Sequence, residues 1–244
     1  MQVRRMAWSA IPRKLHELYN DHVQRRTVTG FRMNPRPNKS KVLQWLPAGW
    51  MLTRFRDGSR RPRLYLTFDD GPNPEYTPPL LDLLDAHDAK ASFFLIGEQI
   101  ECHPVLAKRI AEAGHTLGNH SYSHPQFERL SLAEQFEEIR RTDRLLTSVD
   151  GRCGHMFRPP RGVLPLSMVA RCIRERRRIC MWSYDTHDYS RKSLDQVLPL
   201  IQRHPVRSGD LLLMHDDGGL ALDLLRVLLP EWKRQGFEFG ALPA

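Results

Sequence analysis

No run of 18 or more apolar residues occurs anywhere in the 244-residue chain, which excludes a membrane-spanning helix of ordinary length. Cysteine is scarce. Cys102, Cys153, Cys172 and Cys180 form no CxxC pair, so the chain carries neither a zinc ribbon nor a thiol-redox motif, and the four read as reduced thiols acting as small hydrophobes. Arg4 and Arg5 are not followed by an apolar core of leader-peptide length, and the expectation is a cytoplasmic protein. Acidic residues are nearly missing from the first quarter: residues 1–63 hold 15 Lys and Arg against 3 Asp and Glu, whereas residues 64–244 hold 22 against 25. The net charge of +9 therefore belongs to the N-terminal segment. Such a segment is either a solvated arm or a contact for an anionic membrane or polyanion. With no nucleic-acid-binding motif beside it, no nucleic-acid partner is expected.

What is present is ordinary for a soluble globular protein, at 41% hydrophobic and 27% charged residues. Residues 1–62 read as a basic N-terminal extension packing on or flanking the main domain. It has weak helical periodicity over 6–23, a polar Pro-containing loop over 27–41, and an apolar cluster over 42–55 that includes Trp45, Trp50 and Phe55. Beside so many arginines, that cluster also suits an interfacial membrane contact. Residues 63–244 read as one domain in which short β-prone runs (63–68, 92–96, 116–119, 155–158, 179–184, 210–214, 237–241) alternate with helix-like stretches (78–87, 104–113, 132–149, 166–176, 194–203, 220–235). Ser131-Leu132-Ala133-Glu134 is a capping box that opens the third of these helices. Strand-then-helix alternation predicts parallel strands with helices outside, and about seven units predict a distorted (β/α)7–8 barrel.

The polar residues of interest cluster at the C-terminal ends of the predicted strands. Asp69 and Asp70 follow the first run, His120 the third, Arg158 the fourth, Asp185 and Asp188 the fifth, and His215 the sixth. Barrels of this kind build their active sites on that face. Asp70 with His120 and His124 makes an Asp-His-His set, the three protein ligands of a catalytic zinc-type site with one position left open. The i,i+4 histidine spacing lets both imidazoles face one point. Asp69 is then free to act as a base on water.

These residues carry a resemblance. Thr67-Phe68-Asp69-Asp70-Gly71, His120-Ser121-Tyr122-Ser123-His124, Arg158-Pro159-Pro160-Arg161-Gly162, Asp185-Thr186-His187-Asp188-Tyr189 and Leu212-Leu213-Met214-His215 follow in order. Together they resemble the five motifs of the polysaccharide deacetylase family (carbohydrate esterase family 4, the NodB homology domain), over roughly residues 63–241. The resemblance implies a metal-dependent hydrolase that removes N-acetyl groups from N-acetylhexosamine units, N-acetylglucosamine foremost, of a poly- or oligosaccharide. It implies that Asp70, His120 and His124 bind a divalent metal such as zinc. It implies Asp69 as base held ionised by Arg158, His215 as acid tuned by Asp188, Leu212 as a wall for the acetyl methyl, and a backbone N–H near Arg161 as oxyanion donor.

Two positions depart from the family pattern. Arg161 stands where an aromatic residue is usual, and Tyr189 where Trp is usual. Both bear on substrate preference. Arg161 makes the subsite cationic and suits an anionic or phosphate-bearing acceptor such as a lipid-linked oligosaccharide. With the expected cytoplasmic location, this points to exopolysaccharide or glycan biosynthesis at the inner membrane surface. The alternatives are hydrolysis of a small non-glycan amide on the same fold, or a catalytically dead glycan-binding protein.

Overall fold

The computed structural model describes residues 51–190 and 193–243. The expectations for residues 1–50 lie outside them. The strands are β1 (Met51–Leu52), β2 (Arg63–Asp69), β3 (Ala91–Leu95), β4 (Thr116–Asn119), β5 (Ile179–Cys180), β6 (Tyr184–Asp185), β7 (Leu211–His215) and β8 (Glu238–Phe239). Between and after them run α1 (Thr77–Ala86), α2 (Gly97–Cys102), α3 (Pro104–Glu112), α4 (Leu132–Asp150), α5 (Leu166–Arg174), α6 (Leu194–Arg203) and α7 (Gly219–Arg234). Every strand pairing is parallel: β4-β3-β2-β7-β6 in one path, β8 beside the start of β2, and β1 beside β5. Single bridges through Phe157 link Asn119 to Ile179 and so carry β4 across to β5.

This is the expected parallel α/β fold, with two local differences. The run read as one strand over 179–184 is two short strands. β5 lies between β1 and the Phe157 bridge, whereas β6 is the last strand of the path through β7, so this run passes from one group of strands to the other. No ladder is formed over 181–183, where single bonds, Met181 N to Leu52 O and Ser183 N to Leu211 O, replace it. The run over 155–158 forms only the Phe157 bridges. The six-residue α2 was not foreseen, because it is too short to show a helical period.

The parallel strands are buried on both faces, as β2 illustrates. Leu64, Leu66 and Phe68 join the cluster packed under the outer helices, with Leu80 and Leu84 of α1 and Leu225 and Leu229 of α7. Tyr65 points the other way, into a barrel-interior cluster with Phe94, Met156, Cys180, Leu211 and Leu242. Leu242 closes the lower end: its N–H donates to Ser92 Oγ (2.9 Å) and its carbonyl accepts from Thr116 Oγ1 (2.7 Å). α4 begins with the expected capping box, Ser131 Oγ accepting from Glu134 N and Glu134 accepting from Ser131 N, and ends at Gly151 in the left-handed conformation. Among the described residues, no helix is long and apolar enough to cross a membrane.

Residues 51–55 fall within the segment assigned to the extension, and they touch the barrel directly. β1 pairs with β5, Met181 N donates to Leu52 O (2.7 Å), and the Phe55 ring meets Tyr65 edge-on at 5.1 Å.

Candidate active site

Above the apolar interior, the upper half of the barrel is polar. Arg158 lies at its centre, fully buried. Its Nη1 donates to Asp69 Oδ1 (2.7 Å) and Thr67 Oγ1 (2.8 Å), its Nη2 to Met181 O (3.0 Å) and its Nε to Cys180 O (3.3 Å). The guanidinium lies 4.1 Å from the centroid of the Phe94 ring. Burial works against its charge, but Asp69 and Cys180 together outweigh that cost and hold the Arg158 pKa above the ordinary value. A charge taken out of water at this depth needs such a partner.

Asp69 and His215 are directly opposed residues of β2 and β7, so both side chains leave the same face of the sheet. The Asp188 carboxylate accepts twice from His215, from Nδ1 (3.0 Å) and from the backbone N–H (2.6 Å), and again from Thr186 Oγ1 (3.2 Å). Burial pulls the His215 pKa down, but Asp188, then Asp69 and Asp70, outweigh it and carry it to about 10. His215 therefore holds its proton at neutral pH, with Nδ1 committed to Asp188.

Asp70, His120 and His124 come together. Among the described residues they are the group of three or more His, Cys, Asp or Glu whose ligand atoms all lie within 4.8 Å of one another. His120 Nε2 is 3.4 Å, and His124 Nε2 3.6 Å, from Asp70 Oδ1. Three features fit a divalent cation. Asp70 Oδ1 is buried and accepts no hydrogen bond. His120 Nδ1 lies 2.8 Å from Arg158 O and so carries the proton, leaving the Nε2 lone pair directed at Asp70. Burial lowers the His120 pKa to about 4 and keeps the ring neutral. Burial raises Asp70 to about 7, against the pull of His215, the penalty for a carboxylate with no cation beside it.

Of the other expected residues, Arg161 occupies a one-turn 3-10 segment, Pro160–Gly162, with left-handed backbone (φ 56°) and an exposed side chain. After burial, its charge is the next influence lowering the His124 pKa. Tyr189 is 56% exposed, with its ring edge-on to His215 at 5.2 Å. Its hydroxyl donates to Asp185 Oδ2 (3.2 Å).

Leu212 does not line the site. It is fully buried in the cluster under the helices, paired with Leu66. Strand alternation explains this: residues three apart point to opposite faces, so Leu212 cannot share the face of His215. Leu213, paired with Thr67, does share it.

Two neighbours complete the site: Asp216, which directly follows His215 in the sequence, and Glu138, which emerges only in three dimensions. Asp216 is buried and pushed up to about 7 by that burial. It accepts from Thr77 Oγ1 (2.5 Å), while its backbone N–H donates to Asp69 O (3.2 Å). A Cβ at Gly71 would collide with its carboxylate, which is why glycine follows Asp70. Glu138, on the face of α4, caps the loop between the two histidines. No motif marks it, because it is one of three glutamates on an amphipathic helix.

Comparison with known proteins agrees with this geometry. Residues 56–175 match the family described as polysaccharide deacetylase. A peptidoglycan-N-acetylglucosamine deacetylase of Bacillus cereus is 34% identical over 207 residues, covering 82% of this chain and 75% of the relative. A chitooligosaccharide deacetylase of a Bradyrhizobium strain is 30% identical, covering 83% and 99%. Among solved structures, that of the Bc1960 peptidoglycan N-acetylglucosamine deacetylase superposes with a TM-score of 0.73 at 33% identity, covering 80% of this chain and 91% of the other.

Proposed function

The chain belongs to the polysaccharide deacetylase family, and on that premise we propose that it hydrolyses the N-acetyl groups of N-acetylglucosamine units in a glycan, using a divalent ion held by Asp70, His120 and His124. The observation that carries this reading is the opposition of a base and an acid across that ligand group. Asp69 and His215 sit on paired strands, one fixed by Arg158 and the other by Asp188. A bound divalent ion, zinc being the first candidate, supplies activation of water and polarisation of the acetamide carbonyl.

The chain's own groups do the rest. Asp69 Oδ1 is occupied by Arg158, so Oδ2 is the oxygen that takes the proton from the attacking water. His215 keeps Nδ1–H on Asp188 and presents Nε2–H to the amide nitrogen, which leaves as an amine as its bond to the acetyl carbon breaks. The acetyl group departs as acetate. Leu213 takes the role first given to Leu212, facing the acetyl methyl. Tyr189 offers its exposed ring to a sugar face.

Arg161 supports an acceptor bearing carboxylate or phosphate near the N-acetyl group, as a lipid-linked oligosaccharide would. The charge of residues 1–63 supports action at an anionic membrane surface, in the cytoplasm, during glycan assembly.

The test is acetate release from N-acetylglucosamine oligomers by chelator-stripped protein, before and after zinc is added back. Release that returns with zinc is the expected result. Protein that binds zinc yet releases nothing, from neutral oligomers or from a phosphorylated or carboxylated series, would overturn the proposal.

A further inference from the structure

The loop between the two histidines is strained. Ser121 and His124 both adopt left-handed backbone, with φ of 71° and 52°. Ser121 Oγ accepts from His124 N (3.2 Å), a bond within the loop itself. The loop is gripped from outside on two sides. Its carbonyls face the N-terminus of α2, where Gly97 N donates to Ser121 O (3.0 Å) and Glu98 N to Tyr122 O (2.9 Å). This approach requires glycine at 97, where a Cβ would collide with Tyr122.

Ser121 N donates to Asn119 Oδ1 (2.8 Å), and the remaining outward donors face one carboxylate. Tyr122 N and Ser123 N both donate to Glu138 Oε2, at 3.0 and 2.8 Å, and Ser123 Oγ donates to Oε1 at 3.1 Å. Arg141, one turn further along α4, covers the Tyr122 ring at 3.3 Å, and Glu101 accepts the Tyr122 hydroxyl (2.7 Å). Glu138 contacts no ligand atom. It joins the loop to a helix whose start is fixed by its capping box.

We infer that Glu138 is a positioning residue that sets the metal affinity of the Asp70–His120–His124 group by holding this loop in its left-handed form. The inference rests on the reading of that group as a metal site. His120 has its own anchor in Arg158 O, whereas His124 depends on the loop. Loss of the Glu138 carboxylate frees two amides and a hydroxyl, the loop relaxes toward ordinary backbone, and His124 Nε2 moves off the point it shares with His120 and Asp70.

The experiment is zinc titration of the full chain, stripped of metal, in competition with a chromophoric chelator. It compares wild type, Glu138→Ala, Glu138→Asp, Glu138→Gln and His124→Ala, with circular dichroism of each metal-free protein. Groups that orient metal ligands typically change affinity 10- to 100-fold. Glu138→Ala is expected to lose about that much while its metal-free spectrum stays native, approaching His124→Ala. Glu138→Gln, whose one carbonyl oxygen still accepts from both amides, is expected to stay within a few-fold of wild type. Should the alanine variant not fold, Glu138→Asp replaces it: the carboxylate is one methylene short of the loop, and affinity falls again. Folded Ala or Asp variants that bind zinc as wild type does overturn the inference and leave the metal site intact. A wild type that takes up no zinc overturns both.

Discussion

At the lower end of the barrel, where the chain enters its strands, Gly114, Gly209 and Gly236 provide left-handed turns, joined by Asp88 and Arg176. At the upper end, the left-handed residues are Asp70, Ser121, His124, Arg161 and His187, with Gly162. Glycine adopts this conformation without steric penalty, whereas other residues lose about 1–2 kcal/mol each. The lower end pairs its buried carboxylate as well, although Arg54 Nε, Arg63 Nε and the Tyr65 hydroxyl there have no hydrogen-bond partner. Asp210, fully buried, accepts from Arg54 (2.6 Å), Ser183 Oγ (2.8 Å) and Arg207 N (2.8 Å). The upper end crowds Asp69, Asp70, Asp185, Asp188 and Asp216 around two buried positive centres, and leaves Asp70 Oδ1 and Asp216 Oδ1 without hydrogen bonds. Strain and unsatisfied charge gather where a cation and a substrate would relieve them, and the lower end supplies the stability that offsets them.

The contrast is sharpened first by Asp69→Asn. Turnover should fall about 10³-fold, the scale of a lost general base, while zinc affinity stays within a few-fold of wild type. Retained turnover in a steady-state acetate assay would remove Asp69 as base.

Next comes His115 at the lower end. It is buried, its Nδ1 accepts from Ala91 N (3.1 Å), and burial, helped by Lys90, lowers its pKa to about 4. The unfolded chain binds this proton near pH 6.5 and the folded chain only near 4. The His115 contribution is therefore fully present above pH 6.5 and is lost as pH falls toward 4. The loss is about 3 kcal/mol at most, at roughly 1.36 kcal/mol per unit. His115→Asn keeps an acceptor and removes the titration. Urea melts at pH 7 and pH 4.5 should show a smaller acid loss in the variant, with zinc affinity at pH 7 unchanged.

The smallest effects test the backbone comparison directly. Gly114→Ala meets no atom closer than 3.7 Å, so its expected cost of about 1 kcal/mol is pure left-handed strain. Arg161→Gly should raise stability by up to about 1 kcal/mol while weakening turnover of acidic acceptors. Equal and opposite thermal shifts would support the division between the two ends. A stabilising Gly114→Ala would break it.

Much of this was legible in the sequence because a charged residue that closes an apolar run contributes little to packing and is there for its chemistry. β4 matched its predicted bounds, and α6 did too. Legibility failed where a property depends on parity or on distant segments. Leu212 is within the right motif but on the wrong face, since one residue decides which side of a strand is seen. The run over 179–184 looked like one strand because its composition does not change where its partner does. Glu138 acts through bonds to a loop 15 residues away and nothing local records it, while Asp216 stands beside the last motif but its partner Thr77, 139 residues away, is invisible there.

Residues 181–183 form no ladder and join the two short strands β5 and β6. Two carbonyls where they begin, Cys180 O and Met181 O, accept from the Arg158 side chain. The guanidinium thus ties the start of that stretch, through the barrel interior, to Asp69 on β2. Loosening that stretch would loosen the hold on the base as well, so hydrogen exchange of its amides reports on the readiness of the site itself.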